Sequence, residues 1–252
     1  MIKIICGKTE KEASLAAANV MAEVIKEKPD AIIGLATGSS PINMYGELIR
    51  MCREGEISFS KVRSVNLDEY VGLAPDHDQS YAYFMSHNLF DHIDIDKANT
   101  NLPSGLADDP AAECLRYDSV IASMGGVDIQ LLGIGNNGHI GFNEPDDHFP
   151  KTTTLVKLTE STIDANSRFF ASRDLVPTEA ISMGIGQIMA AKKILLVAFG
   201  TGKAEILEKS LFGPVTPNVP ASILQFFKGD VYICADEAAL SVIKEKHPEA
   251  VC

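Results

Sequence analysis

Three times along this chain an apolar run of strand length ends in a turn built from glycine and polar residues. Ala31 to Ala36 runs into Thr37-Gly38-Ser39-Ser40-Pro41, Val127 to Ile134 into Gly135-Asn136-Asn137-Gly138-His139, and Lys193 to Phe199 into Gly200-Thr201-Gly202-Lys203. Continuous apolar strands need cover on both faces, which a parallel sheet between two helical layers supplies. The pattern therefore predicts an α/β fold, a three-layer sandwich with a mostly parallel central sheet and helices on both faces.

The remaining punctuation fits that frame. Met1 to Cys6 reads as a first strand, and Thr9-Glu10-Lys11-Glu12 is a capping box opening an alanine-rich helix to about Lys28. Ser40 is the expected N-cap, and Pro41 the first residue, of a helix to about Arg53. Further strands are expected near Val62 to Leu67, Thr153 to Leu158 and Val231 to Cys234, and further helices near Ser80 to Phe90 and Pro110 to Met124. No linker, repeat or low-complexity segment divides the 252 residues, so a single domain over 1–252 is expected.

Composition excludes several partners. A formal charge of −12 with no basic stripe argues against nucleic acid, and the apolar runs are far too short to cross a membrane. Five scattered cysteines, an odd number with no Cys-x-x-Cys spacing, fit a reduced cytoplasm, and no targeting segment is recognised. An anionic substrate would need a locally basic site within this acidic field.

Ligands of open α/β sheets bind outside the carboxyl ends of the strands, so the turns there carry the chemistry. Gly133-x-Gly135-x-x-Gly138 formally matches a dinucleotide fingerprint, but Phe142-Asn143-Glu144-Pro145 stands where the phosphate-binding helix should begin. Gly200-Thr201-Gly202-Lys203 is not a Walker motif either, with Val197 in place of its first glycine and Ala204 in place of its Ser/Thr. Lys203, in the first turn of a helix after a buried strand, still suits a phosphate. So does the Thr37, Gly38, Ser39 and Ser40 turn, with its hydroxyls and close-approach glycine. Asp68 and Glu69, in a loop after a strand, offer a general base. His139 with Glu144 reads as an acid/base histidine oriented by a carboxylate; the spacing matches no zinc motif, and no metal is expected.

Four segments in order carry a resemblance: Leu35 to Pro41, Asn66 to Gly72, Gly138 to Pro145 and Asn166-Ser167-Arg168-Phe169-Phe170. Together they resemble the glucosamine-6-phosphate deaminase family, over nearly the whole chain. The resemblance implies a Rossmann-like α/β sandwich, no organic cofactor, and conversion of D-glucosamine 6-phosphate and water to D-fructose 6-phosphate and ammonium. By position, His139 would open the sugar ring with Glu144 holding its imidazole, and Asp68 would move the C2 proton to C1. Arg168, Lys203 and the Thr37 to Ser40 turn would hold the phosphate. Many members carry aspartate where this chain has Asn137, which orients the ring by hydrogen bonding alone.

Allosterically activated members place basic residues where this chain has Thr154 and Val156, and a serine where it has Asp147. The implied enzyme is non-allosteric, its oligomeric state open and a regulated hexamer disfavoured. The alternatives are the same chemistry on galactosamine 6-phosphate and, further off, 6-phosphogluconolactonase. The segment from about 146 to 177 reads as loop-rich and as a candidate lid.

Overall fold

The computed structural model describes residues 1–251. The chain begins with β1 (Ile2–Gly7) and α1 (Glu10–Glu27), and the Thr9 hydroxyl caps α1 by accepting from the Glu12 N–H. The reciprocal half of the box is displaced by one residue, because the Glu12 carboxylate accepts from the Lys8 N–H. Next come β2 (Ile32–Leu35), α2 (Ile42–Arg53), β3 (Arg63–Asn66), β4 (Asp68–Tyr70), α3 (Tyr81–Asn88) and β5 (Thr100–Asn101). They are followed by α4 (Pro110–Ser123), β6 (Ile129–Leu132), β7 (Thr154–Lys157), α5 (Glu160–Asn166), β8 (Glu179–Ser182) and α6 (Ile185–Ile188). The chain closes with β9 (Lys193–Ala198), α7 (Ala204–Phe212), β10 (Asp230–Asp236) and α8 (Ser241–Lys246).

Seven strands form the central sheet in the order β1-β10-β9-β6-β2-β3-β5, every neighbouring pair parallel. The crossovers from β1 to β2 and from β2 to β3 run toward the β5 edge, whereas those from β5 to β6 and from β9 to β10 run toward the β1 edge. Since such crossovers are right-handed, α1 and α2 cover one face and α4 and α7 the other. β2 and β6 are buried along their whole length, as their apolar sequences require. Each fully buried leucine or isoleucine there contributes about 1.5–3 kcal/mol. Gly34 in β2 makes room for the Gln130 side chain, whose Oε1 would lie 1.9 Å from an added Cβ. Among the described residues no helix is long and apolar enough to cross a membrane.

Several expectations need correction. Pro41, not Ser40, occupies the α2 N-cap, and it makes no side-chain cap. Its ring already satisfies the helical φ, and the helix starts one residue later, so the Ser40 hydroxyl is left uncommitted to the helix. The Thr153 to Leu158 strand exists as β7 but joins a second sheet, three-stranded and antiparallel, in the order β4-β8-β7. β5 and β8 were not anticipated, the first because it has two residues and the second because Glu179-Ala-Ile-Ser182 lacks a strong apolar run. The segment 146–177 is less loop-rich than expected, since it contains β7, α5 and two short 3₁₀ turns.

Asp68 and Glu69 lie in β4 rather than in a loop. Leu67 alone separates β3 from β4 and belongs to both sheets, its N–H bonded to Leu35 O at 3.1 Å and its carbonyl accepting from Met183 N at 2.7 Å. The chain thus leaves the central sheet at its carboxyl edge and at once enters the small one.

Candidate active site

The carboxyl ends of β2, β3, β6 and β9 open into one cavity of about 760 Å³, where Ala36, Leu67, Gly133 and Phe199 mark the strand ends on its wall. β2 and β6 are neighbours from which the chain order runs outward in opposite directions, the crevice position expected for ligands of such sheets. Among the expected site residues, Thr37, Gly38, Ser39, Ser40, Asp68, Asn137, His139, Arg168 and Lys203 line this cavity, and Glu69 and Glu144 do not. Glu144 stands behind His139.

The turn after β6 is shaped around the imidazole. Gly135 lies so close that a Cβ on it would sit 2.3–2.5 Å from three atoms of the His139 ring. The Gly135 N–H donates to His139 O at 2.9 Å, and the His139 N–H donates to Asn137 Oδ1 at 3.2 Å. The Asn137 amide also donates to Glu144 Oε2 at 2.6 Å, and His139 Nδ1 lies 3.3 Å from that same oxygen. Burial alone would raise the Glu144 carboxyl, but hydrogen bonding and charge from His139, helped by Thr162 and Asn137, bring it down to about 2. Glu144 is therefore anionic at working pH and fixes the ring through Nδ1, leaving Nε2 without a hydrogen-bond partner among the described residues.

Asn143 fastens this turn to the small sheet. Its buried amide nitrogen donates to Ile140 O and Met183 O, both at 2.8 Å, and the neighbouring Phe142 N–H donates to Ser182 Oγ at 3.0 Å. Ser182 is the register partner of Asp68. The elements carrying His139 and Asp68 are thereby joined through β8.

Asp68 is 6% exposed, and among the described residues no hydrogen bond supports its carboxylate. Burial, with the Glu69 charge beside it, pushes Asp68 up to about 8. Glu69 turns away toward α3, where it accepts from the N–H groups of Tyr70, Tyr81 and Ala82, each at 2.9 Å. Burial raises Glu69 while those donors pull it back. The chemistry of the pair is thus divided: Glu69 caps a helix, and Asp68 faces the cavity as an unsupported base.

Two cations face the same space. Lys203 Nζ donates to Asn136 Oδ1 at 2.6 Å, and burial together with the Arg168 charge lowers its pKa. Arg168 stacks on the Phe169 ring at 4.6 Å. The nearby acids Glu160 and Asp164 are taken by Arg173, so Arg168 has no carboxylate partner among the described residues. On the wall of the same cavity, Gly38 adopts a φ of 91°, a left-handed conformation that glycine accepts within the Thr37 to Ser40 loop. The loop after β9 contributes differently from expectation. Lys203 is the N-cap of α7 at the end of a 3₁₀ turn, and the Gly200 N–H is occupied by Asp236 at 3.0 Å and the Lys203 N–H by Gly200 O at 3.1 Å, which leaves the Lys203 side chain and the Thr201 and Gly202 N–H groups uncommitted among the described residues.

Sequence reasoning missed Tyr81, Phe142, Thr162 and Asn166, which also line the cavity. Tyr81 and Phe142 stack at 6.0 Å over the small core under β4, a purely tertiary meeting. Thr162 carried only the signal of a Thr-x-x-Thr helix cap.

A model of the family of glucosamine-6-phosphate isomerases and 6-phosphogluconolactonases matches residues 8–233. The chain belongs to this family. Among its members, the glucosamine-6-phosphate deaminase of Lachnoclostridium phytofermentans is 56% identical over 236 residues, covering 94% of this chain and 100% of that protein. The enzyme of the same name from Clostridium perfringens strain 13 is 55% identical over 243 residues, 96% of this chain and 100% of that protein. A solved structure of a monomeric glucosamine-6-phosphate deaminase superposes with a TM-score of 0.92 at 45% identity, over 95% of this chain and 99% of that one. The 6-phosphogluconolactonase of Trypanosoma brucei matches at 20% identity with a TM-score of 0.72, over 98% of this chain and 99% of that one, a likeness of fold alone.

Proposed function

We propose that the protein is a glucosamine-6-phosphate deaminase, acting as one domain in the cytoplasm and converting D-glucosamine 6-phosphate and water to D-fructose 6-phosphate and ammonium. The observation that carries this reading is the Asp68 carboxylate, unsupported among the described residues, which shares one cavity with His139 and with two cations that have no carboxylate partner among those residues. Lactone hydrolysis needs no base at C2, whereas aldose-to-ketose isomerisation does. The high identity to proteins named as deaminases points the same way.

The chemistry follows from the groups present. The phosphate is held by Arg168, Lys203 and the Thr37 to Ser40 loop, an arrangement that satisfies both cations at once. His139 carries a proton from the anomeric hydroxyl to the ring oxygen, and Glu144 with Asn137 holds its imidazole in place. The ring opens to an aldehyde that acidifies the proton on C2. Asp68 takes that proton and returns it at C1, leaving an imine at C2 that water hydrolyses to ketone and ammonia. A carboxylate raised by burial is a stronger base than one in water, which suits it to a carbon acid. The residues here require neither a metal nor an organic cofactor for these steps.

The likeness to a monomeric deaminase, with Thr154 and Val156 where a basic regulatory site would lie, supports an unregulated enzyme. The deciding experiment measures ammonium and fructose 6-phosphate together from glucosamine 6-phosphate, beside an Asp68→Asn variant. Equal amounts of both products, lost in the variant, are expected. No product from this ester, with turnover of galactosamine 6-phosphate or phosphogluconolactone, would reassign the reaction.

A further inference from the structure

Glu144 divides its two oxygens between two parts of the molecule. Oε2 serves the active-site turn through Asn137 and His139. Oε1 accepts instead from Thr162 Oγ1, and from Thr159 Oγ1 at 3.3 Å, the Thr159 hydroxyl being also the N-cap of α5. α5 passes without a break into the 3₁₀ turn Ser167–Phe169, which carries Arg168. Its far end is pinned as well, since Asn166 Nδ2 donates to the Tyr70 hydroxyl at 2.9 Å in the strand that begins with Asp68.

We propose that Thr162 is a positioning residue that couples the grip of Arg168 on phosphate to the orientation of His139, acting through Glu144. The inference rests on the deaminase reading for the identity of the anion and on this geometry for the coupling. Thr162 is 5% exposed and packed in α5, so its hydroxyl has little freedom to choose other partners. Arg168 and Thr162 lie on one unbroken helical segment, so the pull of an anion on Arg168 is carried through that segment to the Glu144 carboxylate. The same carboxylate holds the imidazole. Without the Thr162 hydroxyl, α5 would still close on phosphate through Arg168, but the ring would no longer respond.

Thr162→Val removes the hydroxyl at constant volume and Thr162→Ser keeps it. With glucosamine 6-phosphate, kcat is expected to fall about tenfold or more in Thr162→Val, the loss of one hydrogen bond to a charged group, with KM within about twofold. Thr162→Ser restores kcat to within about threefold of the parent. A second measurement needs no turnover: inorganic phosphate is titrated into protein labelled at histidine nitrogens, and the His139 ring resonances are followed. In the parent protein phosphate shifts them; in Thr162→Val phosphate binds with the same Kd but the shift is lost. Equal kcat in all three proteins would overturn the proposal. So would a phosphate response that is absent from the parent or survives in Thr162→Val. If the parent releases no ammonium from the sugar ester, the deaminase reading fails separately, and the phosphate titration still decides the coupling.

Discussion

Asp68 shows how a residue is made reactive by what is withheld from it. It has burial and a neighbouring negative charge but no donor among the described residues, and it therefore holds its proton up to about pH 8. As the base must be ionised in the free enzyme, kcat/KM is expected to rise with pH along a limb centred near 8. Glu69→Gln removes the neighbouring charge and moves that limb to lower pH. A pH–rate series on both proteins checks this, and an unmoved limb would assign it to another group. Asp68→Asn should cost about 10²–10⁴-fold in kcat, the usual range for a lost general base. Gly135 marks the opposite case, a residue needed for its lack of atoms. Gly135→Ala is expected to displace the His139 ring and lower kcat at least about tenfold with the fold intact, as kinetics beside circular dichroism would show.

At the scale of elements, the strands buried on both faces were legible because their sequences are unbroken apolar runs, and α1, α3 and α4 because Thr9, Ser80 and Asp109 or Pro110 cap or open them. The small sheet was not legible. β4 reads as a polar loop because two of its three residues are carboxylates, and only pairing with β8, more than a hundred residues away, makes it a strand. Candidate site residues were legible where chemistry shows in residue type, as in Asp68, His139 and Lys203, whereas Arg168 was named only through the family resemblance. They were hidden where a common residue gains its role from a distant partner, as Thr162 does from Glu144. Tyr117 belongs to the second kind. Its hydroxyl donates to Asn66 O at 2.6 Å and contacts Asn101 O at 3.2 Å, closing the edge of the central sheet where β3 meets β5. Tyr117→Phe is expected to cost about 1–2 kcal/mol in urea unfolding, with the denaturant slope unchanged.

For the whole molecule, the site groups set how stability depends on pH. Asp68 and Glu69 titrate higher in the folded than in the unfolded chain, so their contribution is fully present below about pH 4 and is lost as pH rises through about 7 to 8. Glu144 runs the other way, contributing above its unfolded value and losing that contribution as pH falls toward 2. Thermal melting should therefore be highest in mildly acidic buffer and decline toward pH 9, and Asp68→Asn should flatten that decline. A melting series showing the same slope for both proteins would exclude Asp68 as its cause. Substrate saturation is expected to be hyperbolic and indifferent to N-acetylglucosamine 6-phosphate, and sigmoidal curves relieved by that sugar would contradict the unregulated reading.

Leu67 has a larger consequence than its plain side chain suggests. Because its backbone is bonded into both sheets, the spacing between Asp68 and the Thr37 loop at the end of β2 is held by main-chain hydrogen bonds. Such a spacing does not adapt to its contents. On the proposed reading, with the phosphate at the Thr37 loop and Asp68 as the base, an amino sugar phosphate one carbon shorter is expected to bind by its phosphate yet hold its acidic hydrogen out of reach, and binding of that ester without proton exchange at its C2 would check this.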